Sequence, residues 1–222
     1  MNLSQLRTHV RTLTGIQSTD LLSDADLNVF INEAYQDICR SHDWPFLRND
    51  ATLNISPGVA SYTLPAGVEE NSILSAVILT NDANRRQLQP RAQASVDRSP
   101  GTVSQARPNE YSCWRGSIQL HPTPNIAEVV TLRYFSSPTD MANDSDVPVF
   151  GTNYHTAIAY GAAVKVLIRE GDDTERRAFY SNSLQTFVEA MRSDLLVERD
   201  RSVFRLGGRR ETKPSRNRYY GV

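Results

Sequence analysis

The chain is short of several residue types, and each shortage closes off a class of protein. It has two cysteines, Cys39 and Cys113, in 222 residues. One pair so far apart makes no disulfide framework, and neither cysteine has a histidine at metal-ligand spacing. Both read as small buried hydrophobes. Lysine is nearly missing: Lys165 and Lys213 stand against 22 arginines. Arginine's planar fork suits two-point contacts with carboxylates and phosphates, although a bias in genome composition would give the same count. No apolar run nears the ~20 residues of a membrane span. The opening MNLSQLRTHVRTL is amphipathic and lacks the apolar block of a secretory signal. The expectation is a soluble protein made in a cytosol.

Catalytic signatures are missing as well. The sequence has no nucleophile elbow, phosphate-binding loop, H-E-x-x-H or dinucleotide fingerprint. Its four histidines, His9, His42, His121 and His155, are scattered. His42 beside Asp43 reads as a helix-end turn rather than an oriented base. Asp140, Asp144 and Asp146 in DMANDSDVP alternate as calcium ligands do, but the glycine and terminal glutamate of an EF-hand loop are lacking. That stretch reads as a capped polar loop. The expectation is a protein that is no enzyme and holds no metal or cofactor.

What is present is ordinary globular material, 39% hydrophobic and 22% charged, enough for one large domain or two small ones. Leu3, Leu6, Val10 and Leu13 draw a helical stripe that Gly15 stops. Ser23, Asp24 and Asp26 announce a second helix. Leu27, Phe30, Ile31, Ala34, Tyr35 and Ile38 give it an apolar face until about Arg40, ahead of Trp44 and Pro45. From Phe46 to Pro138 the texture changes to short β-forming runs: ATLNIS, VASYTLP, SILSAVIL, QLQPR, EYSCW, SIQLHP and VVTLRYF. Such runs, punctuated by turn residues, predict antiparallel sheet in a small sandwich or barrel-like module. Arg115-Gly-Ser117 reads as a hairpin turn, and Gln93 to Pro108 as a long exposed loop. Helix returns with Tyr154 to Arg169, where Gly161, Ala162 and Ala163 admit a close neighbour. Gly171 stops it, Asp172 to Glu175 spell a capping box, and a last amphipathic helix runs to about Glu198. The fold class predicted is α+β. Helix pairs 1–45 and 149–198 form a bundle, a β-rich module 46–148 is inserted between them, and 199–222 is an extended basic C-terminal arm.

The arm holds the strongest signal. Formal net charge is −1, yet the last 17 residues carry Arg209, Arg210, Lys213, Arg216 and Arg218 against Glu211 alone, leaving the body at −5. A segment so poor in aliphatic side chains does not fold unaided. Two partners fit it: nucleic acid, with arginines on phosphates and tyrosines on bases, or an acidic protein surface. A mildly acidic body with a basic arm favours a component of an assembly over a dedicated DNA binder.

Three stretches carry a family resemblance: LLSDADLNVFINEAYQDICRSHDWPFLR, ISPGVASYTLPAGVEENSILSAVIL, and VPVFGTNYHTAIAYGAAVKVLIREGDDTERRAFYSNSLQTFVEAM. In this order and spacing they span most of 21–191. They resemble the head-to-tail adaptor (connector) proteins of tailed bacteriophages, close to the tail tubular protein A type. The resemblance implies a homo-oligomeric ring, typically of twelve copies, below the portal protein in the virion neck. Such a ring extends the DNA channel, lets packaged DNA pass without specific binding, and offers a platform to a tail nozzle or tail-tube protein. It implies no membrane and a C-terminal arm docked on the portal, here Arg205, Arg209, Arg210, Lys213, Arg216, Arg218, Tyr219 and Tyr220. Other roles left open are another neck or tail component, such as a tail terminator, and a nucleic-acid-binding module acting through the arm.

Overall fold

The computed structural model describes residues 1–79, 85–97, 105–171 and 174–206. Two helices open the chain. α1 (Leu3–Thr14) starts on Asn2, whose side chain accepts from the Gln5 amide while the Gln5 side chain accepts from Asn2. It stops at Gly15, whose φ of 77° is the left-handed conformation that suits glycine. α2 (Asp24–Arg40) starts on Ser23, whose hydroxyl accepts from the Asp26 amide at 3.1 Å. On the last turn of α1 stands Arg11, a buried charge the periodicity did not reveal. Its guanidinium donates to the Leu22 carbonyl and to Asp24, each at 2.8 Å, and so fastens the loop between the helices. The Arg11 hydrogen bond, more than nearby charge alone, holds the Asp24 carboxyl below the ordinary carboxylate range.

All seven β-forming runs become strands: β1 (Arg48–Ile55), β2 (Ser61–Thr63), β3 (Ile73–Leu79), β4 (Arg85–Pro90), β5 (Glu110–Trp114), β6 (Ser117–His121) and β7 (Glu128–Phe135). They form one sheet in the order β1-β7-β3-β4-β5-β6-β2. The purely antiparallel module expected is corrected at one place: β4 and β5 run parallel, with Gln89 opposite Glu110. A parallel pair needs a long crossover, and residues 91–109 supply it. The exposed loop expected at 93–108 is corrected too. The crossover contains a short helix, α3 (Gln93–Asp97), and Gln105 bridges Thr123. Inward residues of both halves of the sheet, among them Ile55, Ile78, Leu88, Ile118, Leu120 and Leu132, share one core, so the sheet rolls around it.

The remaining helices are α4 (His155–Glu170) and α5 (Thr174–Leu206). α5 runs eight residues past Glu198, because no glycine or proline intervenes before Gly207. Residues 199–206, assigned from sequence to the extended arm, are therefore helical. The capping box expected at Asp172 falls partly outside the described residues. α4 packs against α1, α2 and α5, and the four helices share a second core that includes Leu6, Ile31, Trp44, Ile158 and Met191. The halves of the molecule meet at Trp44, Phe46, Leu47 and Phe135, where the Ser136 amide donates to the Leu47 carbonyl at 2.8 Å.

His155, fully buried at the start of α4, gives the fold a pH dependence. Its Nε2 donates to the Phe150 carbonyl at 2.9 Å, and its Nδ1 lies 2.6 Å from the Met1 ammonium. A carbonyl only accepts, so Nε2 carries the proton and Nδ1 accepts from the ammonium. Burial, the largest cause, keeps the ring neutral by holding its pKa below the ordinary 6.5; burial acts in the same direction on His121. The unfolded chain then takes up protons that the folded chain refuses. Stability is full above about 6.5 and falls as pH drops below it. Urea unfolding at pH 7.5 and pH 5 should show this loss in the wild type, and His155→Gln should show a shallower one. Equal losses would remove His155 from the account.

Candidate docking surfaces

The basic residues singled out at the C-terminus are not brought together on a described surface. Arg205 stands on the last turn of α5. Arg209, Arg210, Lys213, Arg216, Arg218, Tyr219 and Tyr220 lie outside the described residues. The course of α5 does fix where the arm begins. Arg169 pairs with Asp26, and Lys165 with Glu33 and Asp37, so α4 runs antiparallel to α2. Tyr154, before the start of α4, hydrogen-bonds to Asp194 late in α5, so these two are antiparallel as well. α5 therefore leaves the helical half at the end where α2 hands over to the sheet. Residues 195–206 rise about 18 Å beyond Asp194. The arm therefore begins past the sheet-side end of the helical half, not at its far end.

A groove of about 420 Å³ lies along α2, lined by Val29, Glu33, Asp37, Arg40, Asp140 and Lys165 among others. Lys165 sits 3.2 Å from Glu33 and 2.9 Å from Asp37. Burial works against its charge, but the Asp37 and Glu33 carboxylates outweigh it and hold Lys165 above the ordinary lysine range. Asp140 accepts from Gln36 at 2.9 Å. The groove is thus an ordered charged surface with an exposed apolar residue, Val29, within it.

The other polar residues considered for chemistry find local partners. Asp146 accepts from the Ala142 and Asn143 amides, each at 2.8 Å, and those bonds keep its pKa low. Asp144 pairs with Arg7. The three acids of DMANDSDVP therefore face three different partners. Among the described residues no group of three or more potential ligands is placed to hold a metal. His42 turns to the Ser41 hydroxyl and the Trp44 ring at the end of α2. Burial pushes the Cys39 thiol up to about 12 and the Cys113 thiol up to about 11, which leaves both poor nucleophiles. One pairing escaped the sequence: Ser112 Oγ lies 3.3 Å from His121 Nε2 across the β5–β6 hairpin. Ser112 is 1% exposed, too deep for a substrate to reach.

The described helices include none long and apolar enough to cross a membrane. The described residues thus hold two cores and a charged groove on α2. No match to a curated protein was found. The sequence profile of the SU10 adaptor protein family, by contrast, matches residues 1–210, nearly the whole chain, and the chain belongs to that family of phage adaptors.

Proposed function

We propose that the chain is the structural head-to-tail adaptor of a tailed phage, with no catalytic role. Copies assemble into a ring, twelve in the tail tubular protein A-like arrangement, beneath the portal protein. The ring continues the DNA channel and carries the tail nozzle or tail tube. The family match across residues 1–210 is the observation that carries this reading. Other features agree with it. The net charge of −5 before residue 206 suits a channel wall that repels DNA and lets it slide. The four-helix half is the bundle that builds the ring, and the sheet module faces the tail.

In this reading the terminus from Arg205 onward, with Arg209, Arg210, Lys213, Arg216, Arg218, Tyr219 and Tyr220, is the portal anchor. It starts past the sheet-side end of the helices, and 16 residues beyond Leu206 reach at most about 55 Å, enough to leave the protomer. Such an arm orders as it binds, and repetition around a ring turns weak single contacts into a firm joint. Co-sedimentation with portal rings from the same genome tests this. A chain stopped after Leu206 keeps α5 whole and loses the arm. The full-length chain should pellet with the rings, and the truncated chain should lose at least a hundredfold in affinity. Equal binding by both would remove the arm from the joint. No binding by either, with salt-sensitive retention of DNA by the full-length chain alone, would replace the adaptor reading by a nucleic-acid one.

A further inference from the structure

The tip of the β5–β6 hairpin is built against its own backbone preference. Arg115 and Gly116 have φ of 49° and 73°, both in the left-handed region. Two-residue turns of this kind favour Asn-Gly or Asp-Gly, because a longer side chain is strained at the first position. The chain nonetheless keeps arginine there. It sets Trp114 beside it, 59% exposed. No hydrogen bond or ion pair engages the Arg115 side chain among the described residues. The tip is also fixed in place. The Gly116 amide donates to the Glu70 carboxylate, and the Gly116 carbonyl accepts from the Leu64 amide at 2.9 Å. Tryptophan and arginine are the types that carry most interface energy, and a fixed tip loses little freedom on docking. Strain held at an exposed Trp-Arg pair points to a binding knob.

We propose that this knob docks in the α2 groove of a second copy of the chain. Charge complementarity chooses the occupant. Lys165 engages one oxygen each of Glu33 and Asp37, and Gln36 engages one oxygen of Asp140. The second oxygen of each carboxylate has no partner among the described residues; Arg40 lines the groove too, but with Lys165 it offsets only two of the three carboxylates, so the lining keeps a net charge of −1 for a guanidinium to meet. Val29, exposed within the groove, offers the indole an apolar seat. The knob belongs to the sheet half and the groove to the helical half. A contact between them repeats head to tail from copy to copy, which is how rings close. The inference rests on the ring reading above and names the surfaces that would form it.

A photoreactive benzoylphenylalanine at position 114 of the full-length chain tests it. After illumination of the self-associated protein, the crosslink should fall on the tryptic peptide 12–40 of another copy, which holds α2. Trp114→Ala should weaken self-association at least tenfold in sedimentation, with the monomer still folded. Arg115→Asn relieves the turn. It should raise Tm by about 2–4 °C while weakening association, a combination that a purely structural arginine would not give. A crosslink to any other peptide, to the portal or to DNA overturns the proposal, as does association that neither substitution changes. If the copies still assemble, alone or on portal rings, in those cases, the adaptor reading stands without it. If the chain neither self-associates nor binds portal rings, both fall together.

Discussion

Trp44→Ala is expected to lower the unfolding free energy by about 3–5 kcal/mol, the range for truncating a buried aromatic. Trp44 is fully buried between the end of α2 and the start of the sheet. Its ring stacks on Phe46 at a centroid distance of 5.8 Å and leans on His42 at 5.0 Å. Its indole nitrogen donates to the Ile38 carbonyl at 2.8 Å. That carbonyl also accepts from the Ser41 amide and hydroxyl, so the truncation does not orphan it. Most of the cost is then lost packing and the cavity left behind. Trp44→Phe keeps a ring and loses one hydrogen bond, so it should cost only about 1–2 kcal/mol.

The same variant tests whether the two cores unfold as one. Trp44 belongs to the helical core but sits where the chain enters β1. If it couples the halves, urea unfolding of Trp44→Ala should lose cooperativity. The transition seen by far-ultraviolet circular dichroism, dominated by the helices, should part from the one seen by Trp114 fluorescence in the sheet. Coincident transitions with an unchanged urea slope would make the cost local and assign the coupling to other residues.

How much was legible in the sequence followed from how local each cause is. Gly15, Ser23 and Gly171 end or begin helices through contacts within a turn, and each was readable. The seven strands announced themselves by short β-forming runs between turn residues. Pairing was less readable, because nothing in QLQPR or EYSCW says that these strands meet in parallel. The direction of pairing is settled by contacts distant in the chain, such as Gln89 opposite Glu110. Arg11 looked like one more polar residue in a helix. Its clamp on Leu22 and Asp24 exists only once α1 and α2 fold back on each other. The groove on α2 needs Asp140 and Lys165, both more than a hundred residues away in the chain. The resemblance in LLSDADLNVFINEAYQDICRSHDWPFLR and its companions pointed to an adaptor, and the family match agrees at that level. Arg115 is the exception, a signal that is local and legible. Arg-Gly-Ser reads as a turn, but arginine is a poor choice for its left-handed first position, and a poor choice at an exposed tip asks for a reason.

Gly161→Leu is the second substitution with a large expected effect, about 3 kcal/mol or more of destabilisation. α4 packs against α1, α2 and α5, and at Gly161 it faces Ala34 of α2. A Cβ added there would stand 3.0 Å from the Ala34 Cβ, 3.6 Å from Leu184 Cδ2 and 3.8 Å from the Ala34 Cα. Leu184 can turn aside, but Ala34 is held by the α2 backbone. A full leucine must therefore push α2 off α4, straining the core on both faces at once. Gly161→Ala sets two effects against each other. Alanine gains about 1 kcal/mol in helix propensity, and the 3.0 Å contact takes back a similar amount, so the single variant should lie within about 1 kcal/mol of wild type. Ala34→Gly removes the atom that the new Cβ meets. In a double-mutant cycle, Gly161→Ala should then be more favourable in the Ala34→Gly background than alone, with a coupling of about 1 kcal/mol. Zero coupling, together with a tolerated leucine, would mean that the α2–α4 contact is looser than the geometry gives. The stack that carries the groove, with Glu33 and Asp37 on α2 reaching Lys165 on α4, would then be free to shift as well.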